Sequence, residues 1–292
     1  MKNFLIVLVT IVWGSTFFIV KDTVDSVNEY FIVYGRMLIA TIPMLIFVLI
    51  KKPKLLLDKK AIINGSILGF LLVATYISQT IGLKFTSSGH SAFITGIAVI
   101  LVPIIMFFIF KSKFQKSDIL SFIIVVIGLF LLTYDFETKF NKGDLITLIC
   151  AISAGFHIVF SGRFVKKSDP LALITYQFIS GTILSFIGAA IVGFESVSLS
   201  TNSIYAILYL GLFGTLFCYF VSVWVQKYVS SVRVALIFSL EPVFAAFFGY
   251  LALNEKLNEK EITGMFLILS GVIMYQVFRS DILRKKTLKI KN

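Results

Sequence analysis

Apolar runs of about 18 to 24 residues recur along the whole chain, separated by short polar connections. About 20 helical residues cross a hydrocarbon core of roughly 30 Å. Ten such spans are read: 3–20, 30–50, 61–83, 90–110, 117–134, 143–162, 170–193, 203–225, 232–253 and 259–279. No connection is long enough to hold a soluble domain. The pattern predicts an all-α integral membrane protein with ten transmembrane helices. The first span follows Lys2 as the apolar core of a signal peptide would. It runs on through Trp13-Gly14-Ser15 to Val20 without a small-x-small cleavage site, so it is read as a retained helix.

Composition agrees. Of the 292 residues, 58% are hydrophobic and 14% charged, and 31 are Phe; ordinary soluble domains carry roughly 25% charged residues. A water-facing shell cannot cover that much apolar surface, which excludes a soluble enzyme and a disordered or fibrous chain. In a soluble protein the net charge of +12 would suggest nucleic acid, so the placement of the 27 Lys and Arg residues decides.

With the N-terminus cytoplasmic, 20 of them fall in inside segments: Lys2, the 51–60 and 111–116 loops, Arg163 to Lys167, Lys227, Arg233 and the tail from Arg279. Six fall outside (Lys21, Lys84, Lys139, Lys142, Lys256 and Lys260), and Arg36 lies within a span. Orientation follows Lys and Arg in short loops, so the charge reports topology. Both termini are expected in the cytoplasm, in a plasma (inner) membrane protein whose surroundings are lipid and not nucleic acid. Residues 280–292 form a basic cytoplasmic tail. Cys150 and Cys218 lie inside apolar runs without metal-ligand spacing, and no metal or cofactor is expected.

A shift of 143 residues lays Tyr76 to Gly128 on Tyr219 to Gly271 without a gap. Lys84-Phe85-Thr86-Ser87-Ser88 meets Lys227-Tyr228-Val229-Ser230-Ser231, Ala92 meets Ala235, Lys113 meets Lys256, and Gly128 meets Gly271. A shift of 141 places Gly14 on Gly155, Arg36 on Gln177 and Thr41-Ile42 on Thr182-Ile183. The expected domains are therefore two five-helix repeats, 3–134 and 143–279. Five spans is an odd number, so the second repeat must cross the bilayer in the opposite sense. Inverted repeats are a recurring plan of secondary transporters, with the substrate site near midplane between the halves.

The sequence resembles the EamA-type branch of the drug/metabolite transporter superfamily over about residues 3 to 279. Carrying the resemblance are Trp13-Gly14-Ser15-Thr16-Phe17, Tyr34-Gly35-Arg36-Met37-Leu38-Ile39-Ala40, Gln79-Thr80-Ile81-Gly82-Leu83-Lys84-Phe85-Thr86-Ser87 and Ala92-Phe93-Ile94-Thr95-Gly96 with Pro103. The second half adds Trp224-Val225-Gln226-Lys227-Tyr228-Val229 and Leu240-Glu241-Pro242-Val243-Phe244. Gly35 and Ile97 depart mildly from the family pattern, and a Leu-Gly-Glu near the end of span nine reads Leu253-Asn254-Glu255. The resemblance implies ten helices, a central cavity, and movement of small metabolites, often amino acids or drugs, commonly outward.

Few groups inside the spans can ionise. Arg36 lies roughly 9 Å below the outer edge at 1.5 Å per residue, and Glu241 is close to midplane. An isolated charge at that depth costs about 2.5–3.5 kcal/mol on insertion scales, so both should face a cavity or a partner. Pro242 has no backbone N–H, which frees a carbonyl around Phe238 and favours a helix break there; Pro103 is the candidate break in span four. Two roles fit Glu241: a gate, binding or proton-coupling group, or an acceptor of hydrogen bonds that lock the break. Two also fit Arg36: a two-pronged hold on a substrate carboxylate, or a side chain reaching up to tie the extracellular ends.

His157 is read either as a proton relay, since an unperturbed His titrates near pH 6.5, or as a packing residue. His90, at the mouth of span four, is expected to be solvated. Trp13, Ser15, Tyr34, Tyr76, Gln79, Tyr219 and Trp224 complete the candidate cavity lining, because aromatic faces bind apolar or cationic ligands. The GxxxG spacing of Gly65 and Gly69 is a packing signal.

The leading reading is a secondary transporter, an exporter of small organic metabolites working by alternating access, and not an enzyme. No Walker A sequence is present, which leaves an ion gradient or exchange, with the proton favoured through Glu241. A passive channel would want a continuous polar lining or charged rings. A membrane-embedded enzyme would need converging catalytic groups, and the ionisable inventory is thin.

Overall fold

The computed structural model describes residues 2–112, 116–133, 141–193, 199–253 and 257–291, with side chains for all of these except 116, 117, 252, 253 and 279–291. Lys113, Lys139, the Asn254-Glu255-Lys256 stretch and the side chains of the basic tail thus lie outside the described residues. The described chain is helical: α1 (Lys2–Val24), α2 (Glu29–Lys51), α3 (Lys59–Phe85), α4 (Ser88–Gly96), α5 (Ala98–Phe110), α6 (Lys116–Thr133), α7 (Lys142–Phe164), α8 (Pro170–Val192), α9 (Thr201–Tyr209), a π-helical segment (Leu210–Phe217), α10 (Cys218–Gln226), α11 (Ser231–Phe238), α12 (Glu241–Leu253) and α13 (Glu259–Lys291).

Nine stretches among the described residues are long and apolar enough to cross a membrane, counting α4–α5, α9–α10 and α11–α12 as one each. The predicted span 117–134 falls on α6, whose apolar part, Asp118–Thr133, is shorter and rises about 24 Å.

Helix starts follow local chemistry. The free N–H groups of a first turn need acceptors, and short polar side chains supply them. Tyr30 N–H donates to Asn28 and Leu171 N–H to Asp169. Lys60 N–H and Ala61 N–H donate to Asp58, and Ser203 N–H to Ser200. His90 N–H donates to Ser87 and Arg233 N–H to Ser230. The spacing is regular. Helices α2 and α8 start and end 141 residues apart, α5 and α12 start and end 143 apart, and the caps Ser87 and Ser230 are also 143 apart. Asp58 and Ser200, however, are 142 apart. One extra residue therefore enters between Ser200 and Ser230, and the π-helical turn lies there, a form that carries one more residue than an α turn.

Apolar side chains fill the core and also cover the outside, and polar groups are buried among them. Ile191 is 81% exposed, whereas Arg36, Gln177, Thr215 and Gln226 are buried. That arrangement suits a lipid surround, in which buried polar groups find partners on neighbouring helices. Small residues let backbones approach. Gly69 of α3 leaves no room for a Cβ against Ser180 and Gln177 of α8, and Gly128 of α6 lies against the Gly264 backbone of α13. Gly271 meets the Ser121 carbonyl in the matching position.

Contacts at the helix ends sort into two groups. At one end Lys2 lies over the Tyr228 ring and Asn3 Nδ2 donates to Gln276 Oε1 at 3.0 Å. At the other, Lys21 Nζ donates to Leu83 O at 2.6 Å, and Lys84 pairs with Glu29. The same end corrects the expectation for His90. It is buried, with Nδ1 3.5 Å from Asp144 Oδ1, because α4 starts against the capped first turn of α7.

Candidate functional site

Eight of the helices leave a central cavity of about 70 Å³. Its lining includes Trp13 and Thr16 of α1, Thr75, Tyr76 and Gln79 of α3, Thr95 and Gly96 of α4, and His157 of α7. Tyr219, Ser222 and Gln226 of α10 and Phe238, Ser239, Glu241 and Pro242 around the α11–α12 break complete the polar and aromatic wall. The space is small beside the roughly 300–1,000 Å³ of small-molecule sites.

The lining falls into pairs along the sequence. Tyr76 and Tyr219, Gln79 and Ser222, Ala92 and Ala235, Thr95 and Phe238, Gly96 and Ser239, Ala98 and Glu241, and Val99 and Pro242 are each 143 apart; Trp13 and Ala154, and Thr16 and His157, are each 141 apart. Each pair puts one residue from each half on the wall. Chemistry is not shared equally: Glu241 faces the cavity where its mate is alanine, and Trp13 likewise.

The π-helical turn organises the aromatic wall. Gly214 O accepts from Trp13 Nε1 at 2.8 Å and from Tyr76 OH at 3.0 Å. Thr215 Oγ1 donates to Leu210 O, five residues back, at 2.8 Å. Trp13 meets Tyr219 and Phe238 edge-on, with ring centroids 5.2 and 4.9 Å away, and Tyr76 meets Tyr219 at 5.8 Å. Such pairs add about 0.5–1.5 kcal/mol beyond burial, so the rings hold one another in place.

Arg36 neither reaches the Lys21 end of the bundle nor lines the cavity. Its Nε donates to Thr215 Oγ1 at 2.9 Å, its guanidinium lies 3.5 Å from the Tyr76 ring centroid, and Nη2 is buried without a hydrogen-bond partner. Glu241 lines the cavity, and no described group hydrogen-bonds to its carboxylate. Arg36 and Glu241 form no ion pair with each other. His157 Nε2 lies 3.1 Å from Gln177 Oε1, and the Gln177 amide nitrogen has no partner.

The remaining candidates lie elsewhere. Ser15 hydrogen-bonds with Tyr209 OH at 2.7 Å. Tyr34 packs on Phe186 and Trp224 on Tyr228. Pro103 sits inside α5 and lines a lipid-side groove, with the span-four break at Ile97, six residues earlier. The carbonyl that Pro103 leaves free belongs to Val99, near that break, as Pro242 leaves Phe238. Thr16, Thr75, Thr95, Ser222, Gln226 and Ser239 are lining residues that hydropathy alone did not single out; the repeat offset marks Ser222 and Ser239 as mates of Gln79 and Gly96. Among the described residues no group of three His, Cys, Asp or Glu side chains converges as a metal site would need.

A second, open recess of about 740 Å³ lies at the Lys21 end, lined by Phe18, Lys21, Asp22, Asp25, Ser88, Tyr205 and Tyr209 among others. Tyr209 reaches from it to Ser15, the neighbour of cavity-lining Thr16.

An apolar-jacketed bundle of helices around a cavity walled by aromatic, apolar and a few polar side chains, broken at Ile97 and Ser239, fits the class of multi-pass membrane transporters. The chain belongs to the EamA-like transporter family, whose sequence model matches residues 1–134 and again 141–276. It is 31% identical over 267 residues to an uncharacterized transporter of Archaeoglobus fulgidus, covering 91% of this chain and 83% of that one. It is 26% identical over 278 residues to the uncharacterized transporter YoaV of Bacillus subtilis, covering 92% and 94%. A solved crystal structure superposes with a TM-score of 0.78 over 95% of this chain and 97% of its own, at 15% identity, which shows a shared fold.

Proposed function

We propose that the protein is a secondary carrier that exports small organic solutes across the plasma (inner) membrane by alternating access, its two halves forming an inverted repeat of five spans each. The observation that carries this reading is the pairing of most of the cavity wall at offsets of 141 and 143, which supports a site between two half-molecules. The neighbour pattern supports a two-fold relation between the halves. Helix α3 packs on α7 and α8, and the α9–α10 unit packs on α1 and α2, as a two-fold exchange of the halves requires. Helix breaks at Ile97 and at Ser239 give each half a segment able to tilt against the other.

On this reading α6 counts as the fifth span, the termini are cytoplasmic, and the Lys21 end faces outward. Proton coupling runs through Glu241, whose carboxylate meets the cavity free of protein donors. That freedom favours a coupling or binding role over a brace for the break. His157, tied to Gln177, is the second candidate.

The test is transport in sealed liposomes. A carrier saturates and shows counterflow. A channel shows neither, and an enzyme alters its substrate chemically. Flux that rises linearly with concentration and shows no counterflow overturns the carrier reading.

A further inference from the structure

We infer that the transported solute is an organic cation with one positive charge on or beside an aromatic or planar body. The inference rests on the carrier reading above and narrows it to a substrate class.

The charge inventory of the cavity comes first. Among the described side chains that line it, Glu241 is the one carboxyl group, and no Lys or Arg lines it. Its carboxylate has no donor within the protein, so a ligand cation would not have to displace one. The position 143 residues earlier is Ala98, on the same cavity wall. The site therefore offers one carboxylate where a perfect duplication would offer two, which sets the complementary charge at one.

The fate of Arg36 points the same way. A carboxylate or phosphate ligand needs a fixed cation or a cluster of donors. Arg36 is the nearest basic candidate in the sequence of the spans, and it is withdrawn: its guanidinium lies against the Tyr76 ring and its Nε is spent on Thr215. The Tyr76 ring stands in the cavity wall. An anion in the cavity would meet Glu241 directly, with the Arg36 guanidinium set behind the Tyr76 ring and absent from the lining. A zwitterion would gain at its amine and lose at its carboxylate.

The rings supply the rest of the recognition. Trp13 and Tyr76 are held by the Gly214 carbonyl, and Tyr219 and Phe238 pack edge-on against Trp13. Aromatic faces attract cations, most strongly where water is excluded. The outer recess has the same sign. Asp22 and Asp25 are exposed there beside Tyr205 and Tyr209, while the Lys21 ammonium is engaged by the Leu83 and Thr86 carbonyls. A cation leaving the cavity toward that end meets two carboxylates and two rings against one ammonium, that of Lys21, which is turned to backbone carbonyls.

Three probes share a phenyl body and differ in charge: 2-phenylethyltrimethylammonium, phenylalanine and 3-phenylpropionate. Binding to the purified full-length protein is read by tryptophan fluorescence, and counterflow is read in liposomes. The expected result is saturable binding and counterflow of the ammonium probe, at least tenfold tighter than either other probe. Glu241→Gln should weaken the ammonium probe at least tenfold, and Glu241→Asp, which keeps the charge, should weaken it less. If the Gln variant does not fold, the wild-type comparison of the three probes still decides.

Counterflow of phenylalanine or phenylpropionate without binding of the ammonium probe overturns the substrate class and leaves the carrier standing. Glu241-dependent binding of the ammonium probe with flux that never saturates overturns the carrier and leaves the class standing. Failure of the ammonium probe to bind overturns the class whatever the other two probes do.

Discussion

Thr41 and Thr182 hydrogen-bond to each other through hydroxyl oxygens 2.7 Å apart, although 141 residues separate them. The same offset relates the bounds of α2 and α8. On the proposed repeat, two equivalent positions that also touch would straddle the axis that exchanges the halves. Thr41 Oγ1 donates its proton to Met37 O, so Thr182 is the donor in the pair.

Replacing either threonine by valine removes that bond and strands a buried partner, at a cost of about 1–3 kcal/mol. Thr41→Val with Thr182→Val should cost clearly less than the sum of the single changes. Unfolding of the four proteins in one detergent measures it. Additive losses would place the two residues in independent environments.

The α3–α8 seam predicts a contrast between two glycines. A Cβ on Gly69 would stand 2.5 Å from the Gln177 carbonyl and closer still to Ser180, so Gly69→Ala should destabilise by roughly 1–3 kcal/mol. On Gly89, in the first turn of α4, the nearest atom would be Ser87 Oγ at 4.0 Å. Gly89→Ala should be neutral or stabilise by about 0.5–1 kcal/mol through helix propensity. Thermal unfolding separates the two, and a Gly69→Ala protein as stable as the parent refutes the seam.

Arg36→Lys keeps the charge and loses the geometry. The planar guanidinium both stacks on Tyr76 and donates through Nε to Thr215, which an ammonium on a flexible stem does not reproduce. A loss of about 1.5–3 kcal/mol is expected from the charge-assisted bond alone. Tyr76→Phe removes one donor from the Gly214 carbonyl and should cost about 1 kcal/mol.

For Glu241 the expected outcome is a separation of two activities. In a folded Glu241→Gln protein, gradient-driven transport should lose its dependence on the proton gradient, while exchange between like substrates persists. The measurement is gradient-driven uptake against counterflow in the same liposomes for both proteins. Unchanged pH dependence in the folded variant removes Glu241 from coupling and turns attention to His157.

Much of the scaffold was legible because span length and polar landmarks survive in an apolar chain. Lys84 and Lys227, Gly128 and Gly271, and the capping serines stand out against Leu, Ile and Phe. The facing of each helix was not legible. In a soluble helix, polar residues mark the outside, but here lipid and core both take apolar side chains, so 31 Phe residues give no direction. Trp13 and Tyr76 line the cavity, while Trp224 and Tyr34, equally aromatic, pack on Tyr228 and Phe186. His90 was misplaced for a related reason: a polar residue at a span end reads as solvated, and only the fold brings the first turn of α7 against it. The π-helical turn did leave a trace, the change of offset from 142 at Asp58 to 143 at Ser87, which only the cap geometry makes readable.

That turn has a consequence for energetics. In a carrier with identical halves, the inward-facing and outward-facing shapes would be one structure seen from opposite sides, equally populated without a gradient. Here the α9–α10 unit alone contains the extra residue whose neighbourhood presents one carbonyl to both Trp13 and Tyr76. Helix α3 runs without interruption at the matching place. On the proposed carrier reading, the arrangement that keeps both donors on Gly214 has no twin of equal free energy on the other side. A single inserted residue would then give the molecule a resting posture, while the gradient alone still decides which way net cargo moves.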